Sequence, residues 1–340
     1  MKSFENICKM TQPEVKKYMK KFLINKGYDV VDQDGFLYAK GTVPVLLVAH
    51  MDTVHKEQCK TIVCVGDKIS SPQGIGGDDR CGVFIIMNII KELRCSVLLC
   101  EDEEIGCIGA HKFVKATRKS TDEAGNDVDV RYIDELDVNY MVELDRKGNN
   151  DAVFYHGDNQ DFIDFVEDAT NFKFAHGSVS DISVLMPEAK ISAVNLSCGY
   201  YNAHSITEYV MYDEMMDTIA ATKSLIKEKC DKPFEYVRKK YEPYHGYTNY
   251  NANMCGSYIR SCAQKYYNNL FEEPVGYMDE PLANVAINDK NLELEVIIYN
   301  ESLSEEVLHA TGETKADCWM ALFLENPNLR FNDIVDYSWG

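Results

Sequence analysis

Five polar clusters carry residue types that could do metal or acid–base chemistry, and each directly follows an apolar run or opens a helix-like segment. The first is His50-x-Asp52. His50 could ligate a metal through one ring nitrogen while Asp52 accepts the other N–H and fixes the tautomer, or the two could be a buried hydrogen-bonded pair. The second is Gly74-Ile75-Gly76-Gly77-Asp78-Asp79-Arg80. Asp78 could bridge two cations with its two oxygens, or simply cap a helix, a position Asp favours without any metal. The third, Glu101-Asp102-Glu103-Glu104, crowds four carboxylates that repel one another unless cations or solvent neutralise them. In the fourth, Glu143-Leu144-Asp145-Arg146, the acids could be ligands or could pair with Arg146 and Lys147. The fifth runs from Asn202 to Glu208 around His204, which could also be an ordinary loop histidine.

Taken together the clusters supply two histidines, three carboxylates and a spare glutamate, a nitrogen and oxygen donor set suited to zinc, manganese or cobalt. The elements around them predict where they lie. Residues 13–23 have helical spacing, with Val15, Tyr18, Met19 and Phe22 on one face and Gly27 as a stop. A hairpin turns at Asp34-Gly35, and 43–49 reads as a strand buried on both faces. A helix over 78–93, strands at 96–100 and 140–142, a helix near 162–169, a strand at 191–196 and a helix over 211–227 follow. This alternation predicts a three-layer αβα sandwich on a mostly parallel sheet, so the clusters fall at strand ends, where open α/β sheets bind ligands. The polar stretch 118–137 reads as a surface excursion. Composition shifts after Cys230, so residues 1–230 are expected to form a catalytic domain. Residues 231–340 would be a small α+β extension, with helices near 258–270 and 314–324 and a strand at 292–299.

The motifs LLVAHMDTV, GGDDRCGV, DEEIGCIGA and GYYNAHSITEYV, in this order and with Asp145 between the last two, resemble the dinuclear zinc exopeptidases. That superfamily includes tripeptidase T, glutamate carboxypeptidases and zinc aminopeptidases. The resemblance spans roughly residues 13–229. It implies that Asp78 bridges two Zn²⁺ (or Co²⁺ or Mn²⁺), that His50 and Asp145 complete one site, and that Glu104 and His204 complete the other. It implies also that Asp52 supports His50 and that Glu103 is the general base for a metal-bridging hydroxide. Glu143, two residues from Asp145, competes with it for the ligand role, since strand alternation puts both on one face. The segment Gly177-Ser178-Val179-Ser180-Asp181 resembles a family loop near the substrate. Family carboxypeptidases insert a lid or dimerisation domain, for which the interval from Asp145 to His204 leaves no room.

The expected activity is therefore hydrolysis of an amide bond in a short peptide by an exopeptidase of aminopeptidase or di/tripeptidase type. A deacylase or carboxypeptidase-type amidohydrolase acting on an N-acyl amino acid would use the same metals, and an idle relative serving as a scaffold is the rival from another class. A free substrate amine is expected to be read by the acids Asp79, Glu101, Asp102 and Glu143, with Arg238, Lys239, Lys240 or Arg260 as the alternative clamp for a carboxylate. His111, His156 and His176 match no ligand motif. A formal net charge of −20 repels phosphate backbones, so no nucleic-acid partner is expected. No run approaches the roughly 18 apolar residues of a membrane span, and the Lys-rich start lacks a signal peptide's apolar region. The twelve cysteines are scattered without a C-x-x-C pair, which points to free thiols in a reducing, cytoplasmic setting. The oligomeric state is left open.

Overall fold

Short apolar runs become the strands of a central sheet in the computed structural model, which describes residues 1–121, 125–239, 292–299, 305–312, 322 and 334–339. The chain forms two compact units, Met1–Tyr241 and Glu242–Gly340. The first begins with helices α1 (Lys2–Cys8) and α2 (Gln12–Asn25), then strands β1 (Val30–Gln33), β2 (Phe36–Ala39), β3 (Val43–His50), β4 (Val63–Val65) and β5 (Lys68–Ser70). Helix α3 (Gly77–Ile89), strand β6 (Cys95–Cys100) and helix α4 (Ile108–Lys115) follow, with a hairpin of β7 (Thr117–Thr121) and β8 (Asp127–Arg131). Next come β9 (Tyr140–Arg146), β10 (Asp151–Val153), α5 (Gln160–Thr170), β11 (Lys173–Ala175) and α6 (Asp181–Ala189). The last elements are β12 (Ala193–Ser197), β13 (Tyr200–Tyr201), β14 (Tyr209–Met211) and α7 (Tyr212–Lys227).

The eight-stranded sheet has the order β1-β2-β6-β3-β9-β12-β10-β11. Its inner strands β6, β3, β9 and β12 are parallel, so their carboxyl ends emerge on one edge. The antiparallel β1–β2 hairpin extends one side and β10 with β11 the other. Alternation along β3 builds the layers. Leu47 and Ala49 enter one core with residues of α1, α2, α3, α5 and α7, whereas Leu46 and Val48 enter a second core with α4 and α6. The result is the expected three-layer αβα sandwich. A strand covered on both faces needs apolar residues at every position, which is why 43–49 lacks polar alternation.

Local chemistry sets the helix starts. At α2, Thr11 N–H and its hydroxyl both bond the Glu14 carboxylate, a reciprocal cap. Helix α3 lies hard against β9, and a Cβ on Gly82 would overlap the Leu144 carbonyl oxygen and the Asp79 carboxylate. Helices α1, α4 and α6 escape the apolar spacing rule. α1 and α4 are short, and α6 contains Pro187. The excursion 118–137 is the β7–β8 hairpin followed by a 3₁₀ turn. Residues 231–239 continue along the first unit, with Phe234 N–H on Asn139 O and Ser192 N–H on Phe234 O.

In the second unit β15 (Leu292–Tyr299) lies between β16 (Glu305–Gly312) and β17 (Ile334–Trp339), antiparallel to both. The helices expected at 258–270 and 314–324 lie outside the described residues, Leu322 excepted. Among the described residues no helix is long and apolar enough to cross a membrane, and the described cysteines are free thiols.

Because Gly82 allows the close approach of α3 to β9, Gly82→Ala is expected to cost about 1–3 kcal/mol of stability. Urea unfolding measures this; an unchanged midpoint would show that the helix can shift freely.

Candidate metal centre

The site lies where β3, β6 and β9 end. His50, the last residue of β3, is 1% exposed. Its Nε2 lies 3.0 Å from Asp78 Oδ1 and 3.5 Å from Asp145 Oδ1. Its Nδ1 lies 3.1 Å from Asp52 Oδ1. The Asp52 carboxylate also accepts the Glu103 and Glu104 backbone N–H groups at 3.0 and 3.1 Å, tying the β3 and β6 loops together. On the other side His204 Nε2 lies 3.2 Å from Asp78 Oδ2 and 3.0 Å from Glu104 Oε2. Each oxygen of Asp78 therefore faces a different histidine, and each histidine has a second acid beside it.

Asp78 is not the helix cap. Asp78 and Asp79 have non-helical backbone angles and a cis peptide between them. Asp79 Oδ1 accepts Gly82 N–H at 2.7 Å and its Oδ2 accepts His50 N–H at 3.2 Å. Capping thus falls to Asp79, and Asp78 is left to the site. The ligand atoms of His50, Asp79 and Asp145 lie within 4.8 Å of one another, as do those of His50, Asp78 and Glu104. Of the two aspartates, Asp78 is the better donor to a cation, because Asp79 already has an N–H on each oxygen.

Crowded acids shift one another. Burial, with Asp145, Asp181 and Asp78 nearby, pushes Glu103 up to about 9 against the opposing pull of His50. Burial and Asp78 push Asp145 up to about 7. Bonds to Asp78 and Glu104 raise His204 to about 11. Burial would raise Asp78 too, but His204 and His50 hold it well below the carboxylate range. Glu104 Oε1 and Glu143 Oε2 are buried without a hydrogen-bond partner. Two imidazoles, several close carboxylates and an unsatisfied Glu104 oxygen fit divalent cations of the zinc class.

All seven residues singled out in the sequence, His50, Asp52, Asp78, Glu103, Glu104, Asp145 and His204, come together here. Asp145 rather than Glu143 approaches His50. Asp145 faces Tyr200 and Ser180 hydroxyls, while Glu143 is buried deeper, against Asp181 and Ser180. The acids expected around a substrate amine mostly have other partners. Glu101 pairs with Lys16 at 2.5 Å, and Asp79 and Glu143 are buried. Only Asp102 borders the open cavity of about 620 Å³ beside Asp52 and Glu104. Of the basic clamp, Lys239 lies over the Phe174 ring and the Arg238 backbone bridges to Gly157; Lys240 and Arg260 lie outside the described residues. Unforeseen in the sequence are the buried Glu208, the cavity-lining His55 and Tyr200. His55 directly follows the motif LLVAHMDTV and Glu208 closes the fifth cluster, yet neither motif pairs the one with the other.

No family model matches the sequence, and no curated protein matches it. Among solved structures, the chain is similar to aminopeptidase PepT from Bacillus cereus ATCC 10987, with a TM-score of 0.53 at 14% identity over 66% of this chain and 96% of that one. A tripeptidase from Staphylococcus aureus matches with a TM-score of 0.45 at 14% identity over 66% and 96% of the two chains. An aminopeptidase from the archaeon Desulfurococcus kamchatkensis gives 0.49 at 12% identity over 67% and 94%. The chain shares the αβα fold of the first of these structures, in keeping with the fold that the motifs implied.

Asp52 generates a pH prediction for metal-free protein. Although burial opposes it, bonds from His50 and from the Glu103 and Glu104 N–H groups lower its pKa. A lowered carboxyl stabilises the fold above its unfolded value, near 4, and that contribution is lost as pH falls through the folded value. Asp52→Asn should cost about 1–3 kcal/mol at pH 7 in urea unfolding, and the difference from the parent should narrow below about pH 4. A pH-independent difference would remove the carboxylate from this role.

Proposed function

We propose that the chain is a metal-dependent hydrolase that cleaves an amide bond in short peptides, an exopeptidase of aminopeptidase or di/tripeptidase type. The observation that carries this reading is Asp78, whose Oδ1 faces His50 at 3.0 Å and whose Oδ2 faces His204 at 3.2 Å. Asp78 would be shared by two zinc, cobalt or manganese ions, with His50 and Asp145 holding one, and Glu104 and His204 the other. When bound, such a pair supplies Lewis acidity and brings the pKa of a bound water toward neutrality.

The chain's own groups do the rest. Glu103 is placed by its N–H bond to Asp52 and by the Cys107 thiol, which lies 3.7 Å from its Oε1. It takes the proton of the attacking water and returns it to the leaving amine. Burial and neighbouring acids push this carboxyl up, and nearby cations would pull it down toward the ionised form that a base needs. Asp52 holds the His50 tautomer so that Nε2 presents its lone pair. In the cavity, Asp102, fixed by Gln12 Nε2 at 3.0 Å, is the acid that would receive the substrate ammonium. All proposed ligands fall within residues 1–230.

Chelation should abolish turnover, and zinc, cobalt or manganese should restore it; activity in metal-free protein would reject the reading. In the same assay Glu103→Gln should keep its metal content and lose about 10²–10⁴-fold in turnover. Near-normal turnover in that variant would mean that another group is the base.

The end of the substrate that is read can be tested with one tripeptide whose ends are both free, N-acetylated or C-amidated. The free and amidated forms are expected to be cleaved and the acetylated form to be poor. Faster cleavage of the acetylated form than of the amidated one would show that the carboxylate is read.

A further inference from the structure

Four residues beyond His204 the chain carries Glu208 beneath the turn that presents Asp78. The Glu208 side chain is 0% exposed. Its Oε1 accepts Asp78 N–H at 3.0 Å, and its Oε2 accepts Gly76 N–H at 2.9 Å and faces His55 Nε2 at 2.7 Å. The turn is shaped to receive it. A Cβ on Gly77 would lie 3.2 Å from Glu208 Oε1 and 2.8 Å from Tyr200 Cβ, and one on Gly74 would overlap the His55 ring. The segment 204–208 therefore grips Asp78 twice, with the His204 imidazole at its carboxylate and the Glu208 carboxylate at its backbone N–H. Neither His55 nor Glu208 belongs to the proposed ligands or acts as the base.

We propose that Glu208, with His55 as its ring donor, is the positioning pair that fixes Asp78 between the two halves of the metal centre. This inference rests on the reading of Asp78 as the shared ligand. The physical reason is that a carboxylate can accept all three donors at once, whereas an amide has one accepting oxygen. In Glu208→Gln either the Asp78 N–H or the pair from Gly76 and His55 would face an NH₂ group. A buried donor left unpaired is costly, so the turn would shift and move the Asp78 oxygens. Metal partners of this indirect kind commonly change metal affinity by about 10–100-fold.

The experiment uses the full chain, stripped of metal and titrated with cobalt(II) while its visible absorption is recorded, alongside thermal unfolding of the metal-free protein. Glu208→Gln is expected to bind cobalt about 10–100-fold more weakly, with an altered absorption band, while the metal-free variant still unfolds cooperatively at a melting temperature lowered by several degrees. With saturating metal its kcat should fall while KM stays. His55→Ala should show a smaller loss, and His55→Gln, whose amide can still donate to Glu208, should recover most of it. Folded Glu208→Gln with the parent's cobalt affinity and spectrum would overturn the proposal. If Glu208→Gln does not fold, the histidine pair decides, and equal cobalt affinity in His55→Ala and the parent would overturn it as well. A parent protein that binds no cobalt would instead remove the metallopeptidase reading, taking this inference with it.

Discussion

A carboxylate that must face two imidazoles from opposite directions constrains everything around it, because its backbone has to hold still at a place where neither helix nor strand supplies hydrogen bonds. Asp78 stands at that point. It lies one residue before the true cap of α3, with non-helical backbone angles and its own N–H turned away from the helix. Ordinary secondary structure cannot anchor such a residue, so side chains do. Asp79 ties the turn to β3 and to the first turn of α3, and Glu208 ties it to the segment carrying His204. The glycines at 74, 76 and 77 leave room for these anchors. The parallel sheet contributes the remaining requirement, since only parallel neighbours bring the ends of β3, β6 and β9 to one edge.

The many acids at this edge sort by how their oxygens are occupied. Asp79 and Glu208 receive backbone N–H groups on both oxygens, and Glu101 takes Lys16 and Gly35 N–H. These acids are anchors. By contrast Glu104 retains a buried oxygen without a partner, and Glu103 has a weakly donating thiol for company. Burying carboxylates whose lone pairs are not satisfied is costly unless positive charge offsets it. Occupation by backbone donors thus separates Asp79 and Glu208 from Glu103 and Glu104.

The same distinction decides what could be read in advance. The layers were legible because a strand covered on both faces is apolar throughout, as in 43–49. Histidines and acids at the ends of such runs were legible as a group because the parallel strands gather their ends. Asp145 and Glu143 could not be separated by strand alternation, since both point to the same face. What separates them is position along the strand: Asp145, nearer the end of β9, lies 3.5 Å from His50 Nε2. Capping chemistry favours Asp at 78 and at 79 equally, and only the fold shows that Asp79 performs it. The pairing of His55 with Glu208 left no signal, because it depends on a contact across 153 positions. Helices α4 and α6 were hidden by short length and by Pro187.

A cavity of about 620 Å³ opens beside Glu104. One wall of that cavity comes from Cys8, Met10, Thr11 and Gln12, where α1 passes into α2. Three bonds fasten this segment to the loops of the site: Arg80 to the Met10 carbonyl, Gln58 to the Lys9 carbonyl and Gln12 to Asp102. Arg80 directly follows the anchoring Asp79, and Asp102 lies two residues from Glu104, so the wall is fixed to the same loops that carry the proposed ligands. Met10, Val54, Ile75 and Ile105 make part of the lining apolar, and Asp52, Asp102 and Glu104 make another part acidic. A cavity with both characters, fastened by hydrogen bonds to the loops that carry the proposed ligands, sets apolar and acidic walls side by side next to Asp52 and Glu104.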